Sequence, residues 1–185
     1  MSSLKLSKCS RADFVAAITT DKADSFAKTF VAKADMQEQW DDCIGAWDGD
    51  QLCGAIITTV GKRPPYTANF QLLHTFAAHR GKGVAKLLCL DSLRIAKKKG
   101  AKYFRVSSEK DAVAFYEKIG FKFWGKQKSG CPLSIFRTDG PDFANGDYDY
   151  NDQYINNAIH KKGKGGCVEI FDVANLPKPV TLEGF

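Results

Sequence analysis

Residues 80–85 read Arg-Gly-Lys-Gly-Val-Ala, with an apolar extended stretch before them and a helical stretch after. No other part of the chain limits the fold so narrowly. Gly81 and Gly83 allow a sharp backbone turn and put no side chain in the path of a ligand. A helix starting near Val84 then aims its free N–H groups and the positive end of its dipole into that turn. A strand, a glycine turn and a helix N-terminus in that order make an anion site, and the biological anion that fits is a phosphate or pyrophosphate.

Short Gly-Lys-Gly turns also occur in loops that bind nothing, so the surroundings have to decide. The segment is not a P-loop, because no glycine precedes it at the required distance and Ala85 stands where Ser or Thr would meet a metal. Nor is it a dinucleotide fingerprint: the third glycine is missing and no ribose-binding acid follows at the expected distance.

The chain has 185 residues, 44% of them hydrophobic and 12% aromatic, enough for one domain with a sizeable core or one domain plus an extension. No apolar run approaches a membrane span, and the opening MSSLKLSKCS lacks the apolar heart of a signal peptide. The expectation is a soluble cytoplasmic protein that does not engage a membrane. Six cysteines, at 9, 43, 53, 89, 131 and 167, show no CxxC spacing and no histidine at metal-ligand distance. They read as reduced, packed thiols, with no metal expected.

Net charge is +6, and its distribution says more than its size. Arg80, Lys82, Lys86, Arg94, Lys97, Lys98, Lys99, Lys102 and Arg105 crowd the region around the glycine turn, whereas Asp139, Asp142, Asp147, Asp149 and Asp152 crowd the segment after it. Either cluster can be a solvated face; otherwise the first suits an anionic ligand and the second a cationic one.

Periodicity predicts a short strand over 4–8, then helices starting at Ser10/Asp13 and over 22–34. Residues 43–47 and 51–60 read as strands around an Asp48-Gly49-Asp50 hairpin turn, 61–67 as a loop, and 68–76 as a fourth strand closed by the glycine turn. A helix over 84–99 should bury Val84, Ala85, Leu88, Cys89, Leu93, Ile95 and Ala96, with Gly100 as its stop. Residues 102–107 read as a strand. A short helix carrying Ala112, Phe115, Tyr116 and Ile119 follows, capped by Ser108 or Asp111 and ended by Gly120. Residues 121–127 and 132–138 form another strand pair. From 139 on the chain is acidic and turn-rich, then basic and glycine-rich (HKKGKGG), and CVEIFDV could add a strand. The division expected is a domain over 1–138 and an extension over 139–185.

This order of elements resembles the GNAT superfamily of acyl-CoA-dependent N-acyltransferases over roughly residues 4–138. Two segments carry the resemblance. Arg80 to Ala85 matches the family's Gln/Arg-x-x-Gly-x-Gly/Ala pyrophosphate loop, and Ala112 to Phe121 (AVAFYEKIGF) matches its Ala-x-x-Phe/Leu-Tyr-x-x-x-Gly-Phe segment about 30 residues later. The resemblance implies an α/β (α+β) GNAT fold: a mixed central sheet of about six or seven strands flanked by helices, with a C-terminal extension. It also implies acetyl-CoA as co-substrate. The amides of Gly81, Lys82, Gly83, Val84, Ala85 and Lys86, with Arg80, would hold its pyrophosphate. The edge of the fourth strand at Leu73, His74 and Thr75 would pair with its pantetheine arm.

Tyr116 falls where many family members use a tyrosine to protonate the departing thiolate, although it also lies on the apolar stripe of its helix and could be core. His74 is the one candidate base, with a packed strand histidine as the equal alternative. Glu38, Asp41 and Asp42 lie where the family places an acceptor wall, or are surface charges. Glu109 departs from the pattern: a carboxylate stands where Asn often contacts the cofactor, which puts that contact in doubt.

The function implied is transfer of an acetyl group to a primary amine by direct attack, with a small-molecule amine slightly ahead of a protein lysine or N-terminus. The alternative is a non-catalytic acyl-CoA-binding module. Nucleic acid is not an expected partner, because the basic runs at 97–99 and 161–164 lack interleaved aromatics. A homodimer is left open.

Overall fold

The computed structural model describes residues 4–20, 25–62, 67–101, 103–127, 132–137 and 168–169. The elements are β1 (Lys5–Lys8), α1 (Arg11–Thr20), α2 (Ser25–Met36), β2 (Cys43–Asp48), β3 (Gln51–Val60), β4 (Thr67–Thr75), α3 (Val84–Lys98), β5 (Tyr103–Ser107), α4 (Val113–Lys118), β6 (Lys122–Gln127), β7 (Pro132–Arg137) and β8 (Val168–Glu169). That is one strand more than the six or seven expected; the two-residue β8 falls inside CVEIFDV. The chain gathers into two compact units, Met1–Thr59 with Phe70–Lys99, and Val60–Asn69 with Gly100–Phe185.

In the first unit β1, β2, β3 and β4 lie side by side in that order. β1 and β2 are antiparallel, pairing Lys5 with Trp47 and Lys8 with Ile44. β2 and β3 form the hairpin that Asp48-Gly49-Asp50 encodes, with Gly49 at φ 59°. A bulge at Ala46/Trp47 shifts its register. The core lies between these strands and the first two helices: Phe14 of α1 stacks on Phe30 of α2, ring centroids 4.4 Å apart, over Leu52, Ala55, Ile57, Leu72 and Phe76.

Helix α1 starts where Ser10 and Asp13 cap each other. The Ser10 amide donates to Asp13 Oδ2 at 2.9 Å, and the Asp13 amide donates to Ser10 Oγ at 3.2 Å. The Ser10 hydroxyl, which donates to Asp13 Oδ2 at 2.6 Å, and then the Ser10 amide hold the Asp13 carboxyl below its usual range. Across the two helices Arg11 Nε donates to both Asp35 oxygens, at 2.8 and 3.0 Å, and Trp40 Nε1 donates to Asp35 Oδ1 at 2.7 Å.

Helix α3 packs against β2. It buries Val84, Leu88, Cys89, Leu93 and Ala96 as expected, and Ser92 besides; Ala85 and Ile95 are only half-buried. Gly100, at φ 85°, ends it.

In the second unit β5 pairs with β7, β7 with β6, and β6 with β8, all antiparallel. The short helix α4 packs on β6 and β7 and buries Val113 and Tyr116. Its entry differs from the expected cap. A 3₁₀ turn over Lys110–Ala112 precedes it, and neither Ser108 nor Asp111 caps it. Ser108 is 7% exposed, and its buried hydroxyl has no hydrogen-bond partner among the described residues. Gly120, at φ 102°, ends α4.

The expected extension lies outside the described residues apart from β8, as do Cys131, Cys167 and residues 128–130 between the last two expected strands. No helix among the described residues is long and apolar enough to cross a membrane.

Candidate functional site

β4 delivers the chain into the glycine turn through two fixed points. The Phe76 amide donates to Cys53 O at 3.1 Å, extending the pairing with β3 one residue past the strand. Arg80 Nε donates to Thr75 O at 3.1 Å, tying the turn back to the strand it leaves. Between them a 3₁₀ turn over Ala77–His79 is closed by the His79 amide on Phe76 O at 2.9 Å.

Gly81 and Gly83 have φ of 74° and 81°, a region that costs an L-residue about 1–2 kcal/mol. Gly83 is the N-cap of α3, and no side chain caps the helix. The first bond of the helix runs from the Leu87 amide to Gly83 O at 3.0 Å, which leaves the amides of Val84, Ala85 and Lys86 ahead of the regular ladder. A Cβ placed on either Gly81 or Gly83 would meet nothing within 4 Å. The turn is therefore an open cradle of amides rather than a packed bend. Arg80, Lys82 and Lys86 are exposed around it. Residues of this kind fit a pyrophosphate, which takes backbone N–H donors at a helix start and positive charge nearby.

A third glycine, missed in the sequence, sets how closely α3 approaches. A Cβ on Gly54 of β3 would lie 2.6 Å from His74 O, 3.1 Å from Val84 Cγ1 and 3.2 Å from Thr75 Cα. Only a bare Cα fits where β3, β4 and the first turn of α3 converge. The clue was a glycine inside a β-branched run, the usual mark of close backbone approach.

The candidates on β4 divide between its faces. Leu73 and Thr75 are half-buried, whereas His74 is 4% exposed. The His74 ring lies 4.9 Å from Phe76 edge to face, 6.0 Å from Phe26 stacked, and 5.9 Å from Phe14. The alternation along β4 thus sends His74 into the aromatic core under α1 and α2.

Tyr116 belongs to the second unit. It is 5% exposed, with Phe115 at 5.0 Å and Phe121 at 5.7 Å, both edge to face. Glu109 is exposed at the start of the 3₁₀ turn, φ −66° and ψ 153°, and its carbonyl accepts the Ala112 amide at 3.0 Å.

On the expected acceptor side, Glu38, Asp41 and Asp42 are exposed. They do not line the cleft of about 650 Å³ that opens in the first unit. That cleft lies among Ala16 and Ala17 of α1, Trp47 and Leu52 of the hairpin, and Phe76 and His79 at the exit of β4. Cys9, Cys43, Cys53 and Cys89 are free and buried, matching the expected packed thiols. Burial pushes the Cys89 thiol up to about 12, and Cys43 is raised through Cys9 and burial.

Residues 14–132 match the family model for the acetyltransferase (GNAT) domain, well over half of the chain. The protein belongs to the GNAT acetyltransferase family. It is 30% identical over 101 residues to the N-alpha-acetyltransferase RimI of Mycobacterium tuberculosis, a match covering 54% of this chain and 60% of RimI. It is 30% identical over 84 residues to the uncharacterized N-acetyltransferase YvbK of Bacillus subtilis, covering 44% and 53%. The chain thus spans about 60% of the length of these curated relatives at most.

Among solved structures, the PaiA N-acetyltransferase of Thermoplasma acidophilum, in complex with coenzyme A, aligns with a TM-score of 0.59 at 17% identity, over 74% of this chain and 99% of that one. The NatC complex bound to Gag peptide and CoA aligns at 0.54 and 15% identity, over 73% and 98%. At such identities these likenesses establish the α+β GNAT fold.

Proposed function

We propose that the chain is an acetyl-CoA-dependent N-acetyltransferase acting on a primary amine. One observation carries the reading: two left-handed glycines open an uncapped helix start to solvent where the family has its pyrophosphate loop. In this reading the amides from Gly81 to Lys86 bind the diphosphate, with Arg80, Lys82 and Lys86 supplying charge. Leu73, His74 and Thr75 supply backbone for the pantetheine arm. Acetyl-CoA brings a thioester whose carbonyl carbon accepts the attack of a neutral amine. The C–N bond forms, the C–S bond breaks, the amine's proton leaves to water or a base, and the thiolate takes a proton. Tyr116 is the proposed donor of that proton, on the strength of its place in the second motif. Burial of His74 among aromatic rings favours packing over proton transfer for that residue. The proposed boundaries are an acyltransferase domain over 1–138 and an extension over 139–185, in a cytoplasmic protein.

The test is calorimetric titration of CoA and acetyl-CoA, followed by acetyl-CoA consumption against small amines and peptide N-termini, with products identified by mass. Binding with turnover supports the reading. Binding without turnover on any amine supports an acyl-CoA-binding module instead. No binding overturns both.

A further inference from the structure

The cleft of about 650 Å³ in the first unit and the glycine cradle both adjoin the turn that leaves β4, yet their charges are opposite. Arg80, Lys82 and Lys86 surround the cradle. At the cleft stand two carboxylates, Asp13 of α1 and Asp50 of the β2–β3 hairpin, and none of the described residues lining it is lysine or arginine. Arg11, two residues before Asp13, is committed to Asp35. Both hydrogen bonds that the Asp13 carboxylate accepts end on Oδ2, so Oδ1 is open among the described residues.

A bulge builds the apolar side of the cleft. Trp47 pairs with Leu52 while Ala46 pairs with Gly54, so Cys53 is the extra residue, and Leu52 and Gly54 face opposite sides of the sheet. Gly54 faces the first turn of α3, whereas Leu52 joins Phe14 and Phe76 in the core under α1. Leu52 and Phe76, with the small Ala16 and Ala17 of α1, then line the cleft. Trp47 lines it too. Its Nε1 is sealed without a hydrogen-bond partner, 2.8 Å from where a Cβ on Gly45 would stand, so the indole offers the cleft hydrocarbon rather than its N–H. The volume falls in the range of small-molecule sites, roughly 300–1,000 Å³. Two carboxylates without a cation disfavour a phosphate or an acid, and the apolar lining gives a bare inorganic ion nothing to hold. An ammonium on an apolar body fits both halves, its charge met by the acids and its body by the indole, Leu52 and Phe76.

We infer that this cleft is a second ligand site, separate from the cradle, that takes an organic ammonium ion. Carboxylates beside an amine favour its protonated form, which has no lone pair to attack a thioester. The cleft therefore holds a ligand other than the reacting amine, and the inference goes beyond the transferase reading without resting on it.

The experiment titrates phenethylammonium into the full chain by calorimetry and ligand-observed NMR, with phenethyl alcohol and phenylacetate as its neutral and anionic counterparts. The ammonium should bind at least tenfold more tightly than the alcohol, and phenylacetate should not bind. Asp50→Asn keeps a residue that suits the turn and should weaken ammonium binding about threefold. Ala16→Arg brings bulk and positive charge to the cleft from an exposed position of α1, where arginine is a good helix former. It should abolish ammonium binding while the chain still melts cooperatively. Neither substitution should move CoA affinity more than about twofold, and saturating CoA should leave the ammonium bound. No binding of the ammonium, equal affinity for ammonium and alcohol, undiminished binding in Ala16→Arg, or displacement by CoA each overturns the inference. Failure of CoA to bind a chain that still takes the ammonium would count against the transferase reading and support this site.

Discussion

The two segments that place the chain in its family use opposite physics. The turn at 80–86 is exposed and offers backbone: its two key residues lack side chains, and what they present is amides and room. The segment 112–121 instead turns Val113, Tyr116 and Phe121 into the second unit, leaves Ala114, Glu117 and Lys118 exposed, and offers side chains. A backbone site can be read from residue types alone, because only glycine takes those φ values cheaply. A side-chain site cannot, because a tyrosine at the same helical position is a packing residue or an acid according to what surrounds its hydroxyl.

The comparison breaks first at Tyr116. Tyr116→Phe keeps the ring packing, so the fold should persist while kcat falls about 10²–10⁴-fold, the usual worth of a positioned acid. KM for acetyl-CoA should move little. Steady-state kinetics check this, and an unchanged kcat would reject the acid role of Tyr116. Next comes Gly83→Val. It places a branched side chain in a left-handed position at the mouth of the cradle, so CoA affinity by calorimetry should drop at least tenfold, with kcat/KM following. Undiminished affinity would mean the amides are not the receptor.

Gly54→Ala sharpens the contrast, because its defect is crowding rather than φ. With the new methyl 2.6 Å from His74 O, urea unfolding should show a loss of about 1–3 kcal/mol, whereas Gly81→Ala, in open space, should cost only its φ penalty.

The smallest effect is pH-linked. The Cys89 thiol is raised from 9.0 to about 12 in the folded chain, so its contribution is whole below pH 9. It is lost as pH climbs from 9 toward 12, because the unfolded thiol ionises first. Melting temperature should fall across that window, and less steeply in Cys89→Ala.

The glycine turn, the Ser10/Asp13 start, the hairpin at 48–50 and the apolar stripe of α3 were all legible in sequence because each is set by local chemistry. The side of β4 that takes His74 was not, since alternation says which residues share a face but not which face meets the aromatic core. Gly54 was missed for a related reason: its significance is what a methyl would strike, a fact about neighbours far off in sequence. The entry to α4 went astray because Ser108 obeyed burial rather than capping.

The two ties at the exit of β4, Phe76 to Cys53 and Arg80 to Thr75, carry one more consequence. They fix the approach to the cradle before any nucleotide arrives, so docking need not spend free energy on freezing a wandering loop. Amide exchange at Phe76, His79 and Arg80 should then be slow in the empty protein and change little on saturation, while the open amides of 81–86 exchange fast when empty and slow on binding, the behaviour of a socket rather than a clasp.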